Sequence, residues 1–202
     1  GVWGVGIERY LFTVRRHDLA VLPAGSPSVT VLHLSDAHMA PWQHRKQRWI
    51  ADLADAVQPD LVVNTGDNLG HRDGLRGIRA AFAPLRGVPG FFVHGSNDKV
   101  EPTARNPFKY FVSPSSDTAF TPTLDTAALD EYLTDLGETL IDNTAASVRV
   151  AGLRIDAIGV DDAHRDLEDL DAATTALGEM GDGAHLRLGV THAPYRRVLD
   201  SF

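Results

Sequence analysis

The chain has no cysteine among its 202 residues. That excludes disulfides, thiolate metal sites and cysteine nucleophiles, and leaves the compartment open between cytoplasmic and membrane-proximal. No apolar run is long enough to cross a membrane. The start, Gly1-Val2-Trp3-Gly4-Val5-Gly6-Ile7, is apolar but short, and reads as an N-terminal strand or packing arm. Positive charge is scarce: 19 Lys and Arg stand against 27 Asp and Glu, a formal net charge of −8 with His neutral. Nonspecific nucleic-acid affinity comes largely from Lys and Arg on phosphates, so the balance argues against a generic polyanion groove. An anionic substrate remains compatible, because a bound cation inverts the local field. Repeats and low-complexity tracts are absent. With 43% apolar and 23% charged residues the chain has the composition of a folded protein, and its length suits one domain.

What is present is an ordered succession of elements. Residues 1–27 form a lead-in that closes on the turn-rich Pro23-Ala24-Gly25-Ser26-Pro27. The domain follows over residues 28–202, opening with a strand at Ser28–Leu34. Trp49, Ile50, Leu53, Ala54 and Val57 recur at helical spacing, which predicts a helix from His44 to Val57. Pro59-Asp60 stops it before a strand at Leu61–Asn64. A second helix is expected over Gly74–Leu85 and a third strand over Phe91–His94, a βαβαβ pattern with parallel strands. Residues 99–125 are rich in Pro, Ser, Thr and Asn and read as a long excursion carrying the aromatic stretch Asn106 to Phe111. Asp125 or Thr126 then caps a helix to Leu136. Short strands are expected at Thr139–Ile141, Ser147–Val150 and Leu153–Ile158, the last two joined by an Ala151-Gly152 turn. A helix at Leu167–Leu177, a strand at Leu186–Thr191 and a helix opening at Pro194 complete the chain.

The chemistry lies where the strands end. Asp36 and His38 follow the first strand two positions apart, so in an extended stretch both donors reach one cation. Gly66-Asp67 follows the second strand and Gly95-Ser96-Asn97-Asp98 the third. Any one of these segments alone is an ordinary turn. Together they carry carboxylate, imidazole and amide donors to one edge of a parallel sheet, where ligands bind in open α/β folds. Oxygen and imidazole donors suit a divalent metal, with Mn, Fe, Zn, Mg, Co and Ni not distinguished, and two metals would suit phosphate ester chemistry.

On these residues the chain resembles the calcineurin-like metallophosphoesterase superfamily. That family shows Asp-x-His, Gly-Asp, Gly-Asn-His-Asp/Glu, a His after a strand, and Gly-His-x-His. Asp36-Ala37-His38 and Gly66-Asp67 match directly, and His192 in Gly189-Val190-Thr191-His192 resembles the fourth motif. The resemblance implies an α/β sandwich of two mixed β-sheets flanked by helices. It implies a phosphomonoesterase or phosphodiesterase using two divalent ions and a metal-activated hydroxide. Asp67 would bridge the ions, Asp36 and His38 would hold the first, and His192 with an Asn would hold the second.

Two departures from the family pattern matter. No His follows Asn97; aligned on the glycine, Ser96 takes the ligand column, and aligned on the asparagine, Asn97 is the ligand and Asp98 replaces the His. The family's His stabilises the transition state or protonates the leaving group, which makes Asn97, Asp98 and His164 the catalytic candidates and His94 a further substitute. Asn68, His71, His94, Ser96, Asp161 and Asp162 are expected around the ligands. The second departure is that the chain ends at Phe202 without Gly-His-x-His. The reading is a domain incomplete at its C-terminus, with an exposed sheet edge open to self-association. The alternative is a non-catalytic metal- or phosphate-binding domain. Elsewhere, Arg45-Lys46-Gln47-Arg48 reads as a solvated helix face, and His33 as a packed or hydrogen-bonded core histidine.

Overall fold

The computed structural model describes residues 11–100 and 124–202. The apolar start and most of the 99–125 excursion, including Asn106 to Phe111, lie outside the described residues. Strands β1 (Val31–Leu34), β2 (Leu61–Asn64), β3 (Gly90–Phe92) and β4 (Glu138–Leu140) form one sheet in that order, parallel throughout. Strands β5 (Thr144–Val150), β6 (Leu153–Gly159) and β7 (Leu186–Val190) form a second, mixed sheet: β5 and β6 run antiparallel, β6 and β7 parallel. Ala151 and Gly152 both take positive φ, 49° and 80°, in the tight turn of the β5–β6 hairpin.

A parallel strand covered on both faces needs apolar residues in succession rather than in alternation. Leu61 and Val62 show why: both are fully buried, on opposite faces. Leu61 joins Phe91, Val93, Ile141 and Ile155 between the two sheets. Val62 joins Leu32, Phe92, Ile50, Phe82 and Leu133, under helices α1 (His44–Val57), α2 (Gly74–Phe82) and α4 (Thr126–Leu136). Each such side chain stabilises the fold by about 1.5–3 kcal/mol. On the far side, α5 (Leu170–Glu179) buries Ala173 in a cluster with Ile158 of β6 and Val160 just beyond it. The result is two sheets flanked by helices.

Local chemistry sets the element boundaries. Gln58 closes α1 in the left-handed conformation, and Pro59 cannot continue the helix. Asp125 accepts the Ala128 N–H to open α4, and Asp169 accepts the Ala172 N–H to open α5. The Asp169 cap moves the start of α5 to Leu170, from the expected Leu167. The second expected helix ends at Phe82 and tightens into a 3₁₀ turn at Ala83–Leu85, where Pro84 has no N–H to offer. Residues 11–27 have no regular structure; Phe12 lies with its ring 5.0 Å from that of Trp49.

Two local readings change. His33 is exposed rather than core, and its Nε2 lies 3.1 Å from the Thr65 hydroxyl. The basic stretch of α1 is not simply a solvated face. Gln47 is buried and donates to the Ala40 and Pro41 carbonyls, while the Lys46 ammonium donates to Ala37 at 2.9 Å. Both side chains hold the loop that carries His38.

Candidate metal centre

The loops after β1 and β2 continue as a pair beyond the sheet. The N–H groups of Asp36, His38 and Met39 donate to the carbonyls of Gly66, Asp67 and Asn68. Within this ladder Asp36, His38 and Asp67 all take positive φ, 53°, 38° and 54°. Non-glycine residues rarely adopt that region, and such strain collects at functional sites. Gly66 lies in the same region at φ 86°, and a Cβ there would stand 2.3 Å from the Gly95 nitrogen. A Cβ on Gly95 would stand 2.2 Å from Asp67 Oδ1. The β2 and β3 loops therefore touch backbone to backbone, which sets Asn97 against Asp67.

Asp67 is the hub. Its Oδ1 accepts the Asn97 N–H at 2.8 Å and its Oδ2 accepts the Asn97 side-chain amide at 2.6 Å. Two imidazole nitrogens face Oδ2: Nε2 of His38 at 3.5 Å and Nε2 of His192 at 3.6 Å. Asp36 Oδ1 lies 3.5 Å from the same His38 nitrogen. Donor atoms of Asp36, Asp67 and His192 fall within 4.8 Å of one another. The Asp67 and His192 side chains are each 8% exposed, whereas Asp36 and His38 are 55% and 42% exposed. The cluster thus has a buried inner half and an open outer half. These oxygen and imidazole donors fit a divalent cation. A half-turn of the Asn97 amide would present its oxygen instead of its NH₂.

His192 comes from the other sheet, at the end of β7, and its Nδ1 donates to the Thr65 carbonyl at 2.9 Å. That bond leaves Nε2 as the lone-pair nitrogen turned to Asp67. Next to it stands His164, exposed, with ring centroids 5.9 Å apart and Nδ1 on the Tyr195 hydroxyl at 2.7 Å.

Other expected residues take different places. Asp98 is fully buried and accepts the N–H groups of Asn68, Leu69 and Gly95. Burial raises its pKa against the opposing pull of His94 and those N–H groups. It ties the β2 and β3 loops together through those bonds. Asn68 donates to Asp98 and accepts from Asn64. His94 does not face the cluster. Its Nε2 and Nδ1 bond to Asp130 at 2.7 Å and Asp142 at 2.6 Å. Burial alone would lower its pKa, but the bonds to Asp130 and Asp142 and their charges raise it from 6.5 to about 10. Asp142, correspondingly, lies below its usual range: burial would raise it, and the His94 bond and charge outweigh that.

Ser96 donates to Asp162, which also accepts the His164 N–H, and Lys99 pairs with Asp161 and Asp142. These bonds pin α3 (Ser96–Lys99) to the second sheet. His71 accepts the Asp73 N–H and meets Trp42 edge-on at 4.9 Å. Thr65, Lys99, Asp130, Asp142 and Tyr195 were not anticipated. Of these only Asp142, which follows Ile141 at the next strand end, repeats the signal that marked Asp36 and Asp67.

The model of the calcineurin-like phosphoesterase family matches residues 29–175. His192 lies beyond that match and joins the cluster through the fold. No match to a curated protein was found.

Proposed function

The chain belongs to the calcineurin-like phosphoesterase family, and from that premise we propose that it hydrolyses a phosphoric ester at the Asp36, His38, Asp67, Asn97 and His192 cluster. The observation that carries the reading is Asp67 Oδ2, faced from two sides by His38 and His192 at 3.5 and 3.6 Å. One carboxylate between two imidazole nitrogens is the arrangement a pair of divalent ions would share, Asp36 and His38 serving one and His192 and Asn97 the other. Ions bound there supply Lewis acidity and a bound water of lowered pKa.

The residues themselves do the positioning. Thr65 fixes the His192 ring, the α3 anchors fix Asn97, and the Asp36–Asp67 ladder fixes the outer ligands. In the reaction a water oxygen bonds to phosphorus, the ester P–O bond breaks, and the departing alcohol gains a proton. His164, beside His192 and open to solvent, is the imidazole we place at the departing oxygen. A second reading, cation binding without turnover, is favoured by one observation: the residue after Asn97 is Asp98, whose carboxylate is taken up by backbone N–H groups.

Calorimetric titration of the metal-free protein with Mn²⁺, beside Asp67→Asn, tests both. Two sites that collapse together in the variant, with phosphate released from phenyl phosphate, are the expected result. A single site that survives Asp67→Asn would overturn the shared carboxylate. Two sites without turnover of any ester would favour the second reading.

A further inference from the structure

Tyr195 projects beside the metal centre without belonging to it. The side chain is 39% exposed, yet it is held on several sides. Its hydroxyl bonds to His164 Nδ1 at 2.7 Å, and the two rings meet edge-on with centroids 5.3 Å apart. The Arg197 guanidinium lies 4.6 Å from the ring centroid and is itself tied to Glu168, Asp166 and the Ala163 carbonyl. An exposed ring locked by this many partners is a pre-organised surface, since little freedom is left to lose on binding.

Tyr195, His164, Ala193 and Pro194 line an apolar recess of about 140 Å³. The recess is open to solvent, and its volume is close to that of an enclosed apolar cavity, about 150 Å³, that takes benzene. His164 connects the recess to the cluster: its ring lies 5.9 Å from that of His192, whose Nε2 is 3.6 Å from Asp67 Oδ2. A phosphate ester bound beside His192 would have His164 and the recess as its neighbours.

We infer that this recess receives the leaving group and that the preferred substrates are aryl phosphate esters, an inference that rests on the phosphoesterase reading above. Aromatic rings attract one another beyond what buried area supplies, and the Tyr195 surface that Arg197 leaves free is the platform. Leaving-group chemistry agrees. A phenol ionises near 10, as the Tyr side chain does, whereas alkyl alcohols are far weaker acids, about as weak as water. An aryloxide therefore departs with less need of a proton from His164 than an alkoxide has. The balance is that of hydrolysis: water adds its oxygen to phosphorus, the aryl oxygen leaves with the bonding pair, and the water's proton ends on the aryloxide or in solvent.

The test compares Tyr195→Ala and Tyr195→Phe with the parent chain, each loaded with Mn²⁺. Binding of phenylphosphonate and methylphosphonate is measured by calorimetry, and kcat/KM with phenyl phosphate and ethyl phosphate. Tyr195→Ala should weaken phenylphosphonate roughly tenfold and methylphosphonate less than about twofold. Phenyl phosphate turnover should fall in step, and Tyr195→Phe, which keeps the ring but loses the hydroxyl on His164, should keep phenylphosphonate binding within about threefold of the parent. Equal effects on the phenyl and methyl ligands would overturn the inference while leaving the phosphoesterase reading intact. A parent chain that turns over neither ester would count against that reading, and the phosphonate pair would still report on the recess.

Discussion

The ring of His192 donates from Nδ1 to the carbonyl of Thr65, 127 positions earlier, at 2.9 Å. A carbonyl has only lone pairs to offer, so Nδ1 carries a proton, and in the neutral ring Nε2 is the free nitrogen. Nitrogen NMR of the metal-free protein at pH 8 should show Nδ1 protonated and Nε2 bare for His192. The reverse tautomer would remove the basis for Nε2 as a ligand.

Gly95 has φ −108°, a conformation open to any residue, so its requirement for glycine comes from space alone. An added Cβ would stand 2.2 Å from Asp67 Oδ1. Gly95→Ala should displace the carboxylate, abolish Mn²⁺ binding in calorimetry and cost about 1–3 kcal/mol in urea unfolding. Gly178 in α5 has nothing within 4 Å of its Cβ position, and Gly178→Ala should stabilise by about 0.5–1 kcal/mol with binding unchanged. Intact metal binding in Gly95→Ala would show that the contact between the two loops is slack.

Glu138 is buried at the start of β4, and among the described residues neither carboxylate oxygen has a hydrogen-bond partner. Burial pushes its carboxyl from 4.5 up to about 8, against a smaller opposing effect from the nearby Asn64 amide. Between those values the folded chain keeps a proton that the unfolded chain has released. Stability from this group therefore falls as pH rises from about 4.5 to about 8, then levels off. Glu138→Gln should remove that slope and be more stable than the parent at pH 8.5, as read by urea unfolding across the range. Parallel curves for the two proteins would refute the assignment.

His94 acts in a higher window. Its pKa is raised from 6.5 to about 10, so the stability its charge provides is complete below 6.5 and is lost as pH climbs through 10. His94→Gln leaves Asp130 and Asp142 facing each other without the cation between them. Breaking a buried ion pair from one side costs about 3–5 kcal/mol. Thermal unfolding at pH 7 should show a loss of that order, shrinking toward pH 10. A loss independent of pH would mean the ring matters for packing and not for its charge.

The sequence by itself determined the elements and the donors. Apolar spacing placed α1 at His44–Val57, an apolar run placed β2 at Leu61–Asn64, and a cap at Asp125 or Thr126 framed the helix to Leu136 that is observed at Thr126–Leu136. These patterns are legible because burial of a face repeats with the local period of the backbone. Strand-end chemistry named Asp36 and Asp67, the family resemblance named His192, and the fold brings these groups within 4.8 Å of one another. The tertiary structure alone decided what each polar side chain meets. Asp130 and Asp142 take the two ring nitrogens of His94, backbone N–H groups take the Asp98 carboxylate, and Tyr195 and His164 line a recess. Such partners come from distant parts of the chain, and a hydrogen bond has no period along the sequence. Which donor finds which acceptor is settled only when the two sheets pack.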